Sequence, residues 1–74
     1  MQVDVKLFAS LRDGNFKERE TELKDNSRVI DVINKYDIPL EKMAICFVNG
    51  HDADNDQVLH NGDTVSLFPP VGGA

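Results

Sequence analysis

Hydrophobic and polar residues alternate at the start of the chain. Val3, Val5 and Leu7 stand between Gln2, Asp4 and Lys6, the period-two pattern of a strand with one face in a core and the other in water. The pattern breaks after Leu7, and Asp13-Gly14-Asn15 carries strong turn chemistry. Phe16 to Leu23 is dense in charge through Lys17, Glu18, Arg19, Glu20 and Glu22. Such a segment suits an exposed edge strand, where charge discourages pairing with another chain.

Asp25-Asn26-Ser27 supplies capping side chains, and Ser27 is the expected N-cap. Val29, Val32, Ile33 and Tyr36 follow at i, i+3, i+4 and i+7, with Ile30 beside them. This spacing predicts one amphipathic helix with a single buried stripe. Pro39 forbids its continuation and pushes Ile38 toward extended geometry. A compact Leu40 to Lys42 connection then leads to Ala44–Val48, apolar throughout and rich in strand formers, which predicts a central strand.

Asn49-Gly50 is a favoured two-residue hairpin turn because both residues accept positive φ. The return strand around His51 to Ala53 has to be short. Asn61-Gly62-Asp63 marks another turn, and Thr64 to Phe68 alternates as a last strand. The order strand, strand, helix, strand, short strand, strand is satisfied with short connections by a β-grasp. The expected fold is therefore α+β, ubiquitin-like, with a mixed sheet of four to five strands packed on one main helix. Residues 1–68 make the β-grasp domain and residues 69–74 a flexible tail.

Length changes what such a fold can do. With 74 residues the chain builds one small core and has little room for a deep cavity with its own catalytic constellation. That favours a binding module or a carrier over an enzyme. The formal charge of −5, from 13 acidic and 8 basic side chains, repels phosphate backbones and anionic lipid and suits a basic face on another protein. A single cysteine, Cys46, excludes an intramolecular disulfide and a multi-cysteine metal site. No apolar run approaches the roughly 20 residues of a membrane span, and no signal-peptide pattern opens the chain. A cytoplasmic location is expected.

Candidate chemistry in the body of the chain is thin. Cys46 lies in an apolar strand with no adjacent base, the setting of a small buried hydrophobe rather than a nucleophile. His51 and His60 have no ligand spacing that joins them to Cys46 and read as surface histidines near turns. Asp52, Asp54, Asp56 and Asp63 stand at positions one, three, five and twelve of a calcium-type loop, with Leu59 at the apolar eighth. Gln57 occupies the position where that loop needs glycine, and Asp63 is short for the bidentate ligand, so a solvated acidic loop is expected.

The end of the chain is different. Phe68-Pro69-Pro70-Val71-Gly72-Gly73-Ala74 couples two prolines, which stop strand pairing and stiffen an extended exit, to two glycines that give a slim end without side chains. From Phe68 the tail reaches roughly 20 Å at about 3.3 Å per residue. A frayed terminus accounts for the glycines but not for the apolar Phe-Pro-Pro-Val approach to them.

Two segments carry a specific resemblance. Val5-Lys6-Leu7-Phe8-Ala9-Ser10-Leu11-Arg12 and Gly62-Asp63-Thr64-Val65-Ser66-Leu67-Phe68-Pro69-Pro70-Val71-Gly72-Gly73 resemble the MoaD/ThiS family of sulfur carriers, and within it the MoaD-like branch, the small subunit of molybdopterin synthase. The resemblance implies a co-substrate rather than an enzyme. An activating enzyme uses ATP to place AMP on the terminal glycine carboxylate, and a sulfur donor displaces AMP to leave a thiocarboxylate. The tail then enters a synthase large subunit, or another acceptor enzyme, and delivers sulfur to a pterin precursor.

On that basis Gly73 is the reactive residue and Gly72 its slim neighbour, Phe68, Pro69, Pro70 and Val71 face partners, and no metal or permanent cofactor is held. Ala74 departs from family members that end at the second glycine. It is a residue for a processing protease, a directly activated terminus, or an addition to the natural chain. A thiamin or other sulfur-metabolite carrier, and a ubiquitin-like modifier joined to target lysines, are the alternative readings.

Overall fold

The computed structural model describes residues 1–39 and 45–70. The connection at Leu40 to Lys42, Ala44, and the tail residues Val71 to Ala74 lie outside the described residues. The elements are β1 (Gln2–Leu7), a 3-10 turn (Ala9–Arg12), β2 (Glu18–Glu22), α1 (Val29–Lys35), β3 (Ile45–Val48), β4 (His51–Asp52) and β5 (Thr64–Phe68). They form a five-stranded sheet in the order β2-β1-β5-β3-β4. β1 and β5 run parallel, and the other pairs are antiparallel. This is the mixed β-grasp sheet expected from the element order.

Alternation along each strand sends one set of side chains to the core. Val3, Val5 and Leu7 of β1 and Val65 and Leu67 of β5 are almost wholly buried, as are Val29, Val32 and Ile33 of α1. Each such aliphatic side chain contributes about 1.5–3 kcal/mol on leaving water. Ile30 and Tyr36 pack against this cluster from its margin. β2 is an edge strand, and its alternating Glu18, Glu20 and Glu22 stay in water while Thr21 turns inward. The Thr21 and Tyr36 hydroxyls meet at 2.6 Å, which satisfies the one buried polar side chain of β2. Among the described residues no buried side-chain nitrogen or oxygen lacks a partner.

The apolar Ile45–Val48 segment is, as expected, an interior strand covered on one face, paired with β5 on one side and β4 on the other, while β5 takes the middle of the sheet. β3 is apolar on both faces for different reasons. Cys46 and Val48 enter the core, while Ile45 and Phe47 turn outward. One expectation is corrected: Ser27 is not the N-cap of α1. Its hydroxyl donates to the Lys24 carbonyl at 2.7 Å, closing the turn in which Asn26 takes φ of 68°. Arg28 is the cap residue. Its N–H donates to the Asp31 carboxylate at 2.8 Å, so the acid of the first turn completes the cap from inside.

The acidic loop after β4 has a structural task. The N–H groups of Val29 and Ile30, orphaned at the helix start, donate to the carbonyls of Gln57 and Asn55 at 3.0 Å each. The Leu59 N–H donates to the Ser27 carbonyl at 2.8 Å, and the Leu59 side chain is buried. The apolar residue inside the calcium-like spacing is thus a core residue that anchors the loop under the helix.

Candidate docking face and tail exit

The outward face of the sheet holds the features that core packing leaves over. β1 and β5 are parallel and end side by side, with Leu7 in register with Leu67. One residue further on, Phe8 and Phe68 leave the core pattern together. Their rings stack with centroids 4.3 Å apart and planes 11° from parallel. Phe47 of β3 meets Phe68 edge-on at 5.6 Å. Ile45, opposite Phe68 in the β3–β5 register, is 37% exposed. Four apolar side chains from three strands therefore share one outer patch, because cross-strand partners point to the same face.

β5 ends at Phe68, so the chain leaves the sheet from the middle of this patch. Pro69 is half-buried and Pro70 exposed, and neither offers an N–H to continue a ladder. Of the residues singled out from the sequence, Phe68, Pro69 and Pro70 are thus placed together at the exit. Val71, Gly72, Gly73 and Ala74 lie outside the described residues. Phe68 faces away from Val65 and Leu67, so it is not a core residue. Phe8 and Phe47 were not singled out from the sequence. For Phe47 the alternation with buried Cys46 and Val48 carried a signal, whereas Phe8 lies past the end of β1, beside exposed Ala9.

The other candidate groups are not gathered into a site. Cys46 is 4% exposed, and burial, aided by the Asp52 carboxylate, pushes its thiol up to about 11. It is therefore a protonated core residue, not a nucleophile at neutral pH. His51 and His60 are exposed and line a polar cleft of about 250 Å³ with Asp52, Gln57 and Asp63. The Asp63 carboxylate is already engaged, accepting the His60 N–H at 2.8 Å and the Asn49 side-chain amide at 2.9 Å. Asp54 accepts the Asp56 N–H at 2.9 Å. Among the described residues no cluster of three or more His, Cys, Asp or Glu is disposed to hold a metal ion. Among them too, no helix is long and apolar enough to cross a membrane.

An aromatic patch thus lies on the outer face of the β-grasp sheet, where β5 runs into Pro69 and Pro70. The profile of the ThiS family matches residues 5–73. The chain belongs to the ThiS family, the family of ThiS- and MoaD-like proteins.

Among solved structures it is similar to a Pyrococcus furiosus protein assigned as molybdopterin converting factor subunit 1, at 32% identity over 96% of this chain and 99% of that one, with a TM-score of 0.79. It shares its fold with small archaeal modifier protein 1 from Haloferax volcanii, at 23% identity over all of both chains and a TM-score of 0.77. It also shares its fold with a chain from the complex of molybdopterin-converting factor subunits 1 and 2 of Helicobacter pylori, at 22% identity over all of both chains and a TM-score of 0.69. No curated protein sequence matches. By family the chain is a ThiS/MoaD-like sulfur carrier.

Proposed function

We propose that this chain carries sulfur on the Gly73 carboxylate, freed by removal of Ala74, and donates it in the assembly of molybdopterin or a related cofactor. The observation that carries the reading is the aromatic patch of Phe8, Phe47 and Phe68 at the root of the tail. A partner that covers the patch receives the tail at a fixed point. The family match, which runs through Gly73 and stops there, supports Gly73 as the reactive end. The likeness to the Pyrococcus furiosus protein supports the cofactor branch.

The chemistry divides between carrier and partners. A Gly73 carboxylate oxygen attacks the α-phosphorus of ATP in an activating enzyme, pyrophosphate leaves, and an acyl-adenylate forms. A sulfide-equivalent nucleophile adds to the acyl carbon and AMP departs, which leaves the thiocarboxylate. ATP is the partner's substrate, and the carrier keeps no cofactor or metal of its own. Glycine at 72 and 73 leaves the acyl carbon open to attack and lets the tail thread a narrow channel. Phe68, Pro69, Pro70 and Val71 contact the partner outside and at the mouth of that channel. The tail then enters the large subunit of a molybdopterin synthase, or another acceptor enzyme, and the pterin precursor held there accepts the sulfur.

The likeness in fold to small archaeal modifier protein 1 favours one second reading, in which a lysine amine of a target protein attacks the activated carboxylate and forms an amide. Incubating the intact and Ala74-deleted chains with ATP, sulfide and the activating enzyme of the same organism, then weighing them, tests the first reading. The deleted form gains AMP and then exchanges oxygen for sulfur. A chain that gains neither in either form overturns the proposal, and tail-linked lysine conjugates in cells, without a thiocarboxylate, favour the modifier.

A further inference from the structure

The outward face is not uniform in charge. Asp4, Glu20 and Glu22 lie on its β1–β2 side, but Lys6, Arg12 and Lys17 line a cleft of about 160 Å³ against Phe8, with Glu18 the acid on its wall. These are three of the eight basic side chains in a chain with 13 acidic ones. Their grouping follows from the strand register. Lys6 is paired with Glu18 on one side and Ser66 on the other, and the Lys17 carbonyl accepts the Leu7 N–H at 2.9 Å, which fixes the start of β2 beside β1.

Arg12 is held more firmly. Its Nε donates to the Leu7 carbonyl at 2.7 Å, and its guanidinium carbon lies 5.5 Å from the Phe8 ring centroid. A guanidinium fixed in this way loses little further freedom on binding an anion.

Phe8 belongs to both features, since it stacks on Phe68 and walls the cleft. A protein that covers the aromatic patch therefore also dries the cations beside it. Drying a cation without giving it a counter-charge is costly, so a well-fitted partner must bring an anion to this spot. The cleft is smaller than the roughly 300–1,000 Å³ of small-molecule sites and fits a single carboxylate. We propose that Lys6, Arg12 and Lys17 receive an aspartate or glutamate side chain of the docking protein at the edge of the aromatic patch. The partner face is thus apolar at its centre and acidic where it meets β1 and the 3-10 turn, although the chain as a whole is acidic. This inference rests on the aromatic patch being the docking face of a carrier.

The test measures affinity for the activating enzyme, across a range of salt, for the wild-type chain, for Lys6→Glu/Lys17→Glu, and for Lys24→Glu/Lys35→Glu. The last variant makes the same change in net charge on residues outside the patch. The cleft variant is expected to bind about tenfold or more weakly, with a reduced salt dependence, and the control variant within about twofold of wild type. Thermal unfolding confirms that both variants fold, and Arg12→Gln gives an independent loss at the same site.

Equal effects of the two double variants overturn the inference while leaving the carrier reading intact, provided the wild-type chain is still loaded with sulfur. A wild-type chain that neither binds the enzyme nor becomes loaded overturns both. Inorganic phosphate is the second arm. Saturable shifts of the Lys6, Phe8 and Lys17 amides, with partner affinity unchanged in the cleft variant, would make this a small-anion site and refute the proposal.

Discussion

Leu67 and Phe68 are neighbours in sequence with opposite surroundings, and replacing each by alanine separates core from docking face. Leu67 is wholly buried, so Leu67→Ala costs about 2–5 kcal/mol. At about 0.05–0.15 kcal/mol per residue a chain of this length has roughly 4–11 kcal/mol of stability in all, and that substitution removes a large share. Phe68 is half-buried on the outer face. Phe68→Ala forfeits two aromatic contacts, with Phe8 and Phe47, each about 0.5–1.5 kcal/mol.

The expected loss for Phe68→Ala is about 1–3 kcal/mol, a fall of roughly 1–3 M in the urea midpoint at a slope of about 1 kcal/mol/M. The partner sees the reverse ranking. A central aromatic of an interface carries about 2 kcal/mol or more, close to 30-fold in affinity. Urea unfolding by circular dichroism, followed by calorimetric titration against the activating enzyme in conditions where each variant is folded, measures both. The reasoning fails if Phe68→Ala unfolds as readily as Leu67→Ala, or if it keeps wild-type affinity.

Cys46 is expected to resist thiol reagents in the native chain at neutral pH and to react on unfolding. Its thiol is raised from 9.0 to about 11, so the unfolded chain ionises first. The associated stability is intact below about 9 and falls as pH climbs toward 11. Cys46→Ala removes this part of the alkaline loss in urea titrations, and native labelling at a free-thiol rate contradicts the account. The Glu18 carboxyl is raised by its hydrogen bond and repulsion with Asp4. Asp4→Asn should return it toward 4.5 in an NMR titration, with more benefit to stability at neutral than at acid pH, since a raised carboxyl opposes folding once ionised. Calcium should leave the amide signals of Asp52 to Asp63 unmoved, because the Asp63 carboxylate is taken up by Asn49 and His60; saturable shifts there refute this. Gly50→Ala meets open space but a φ of +83°, so it should cost about 1 kcal/mol from backbone strain alone, and an unchanged urea midpoint contradicts that.

Much of the fold was readable where local chemistry and tertiary position agree. The Val3-Val5-Leu7 alternation, the helical stripe from Val29, the charged edge strand and the Asn49-Gly50 turn all act within a few residues of themselves. Asn49 and Gly50 do take positive φ, at 54° and 83°. Where long-range pairing decides, local pattern falls short. The central place of β5 depends on parallel pairing with β1 from the opposite end of the chain. An apolar run at Ile45–Val48 cannot distinguish a strand covered on both faces from one whose outer face waits for a partner.

Leu59, isolated among acids, gave no periodicity to mark it as core. Ser27 has the chemistry of a cap, but its hydroxyl is used one turn earlier. For the site, the exit from the sheet at Phe68, Pro69 and Pro70 was legible because proline offers no N–H to continue a ladder, while Val71 to Gly73 lie outside the described residues. The patch of Phe8, Phe47 and Phe68 was not, because it exists only through the β1–β5–β3 register. The cationic cleft has the same origin, with residues 6, 12 and 17 brought together by the turn between β1 and β2.

The central claim is that the carboxylate at Gly73 is the working group of this protein. Intact-mass measurement of the protein purified from its own cells, with fragmentation of the C-terminal peptide, tests that claim most directly. The account predicts a population that ends at Gly73, part of it with sulfur in place of one terminal oxygen. A population that keeps Ala74 throughout, with an ordinary carboxylate even in cells actively making the cofactor, would contradict it.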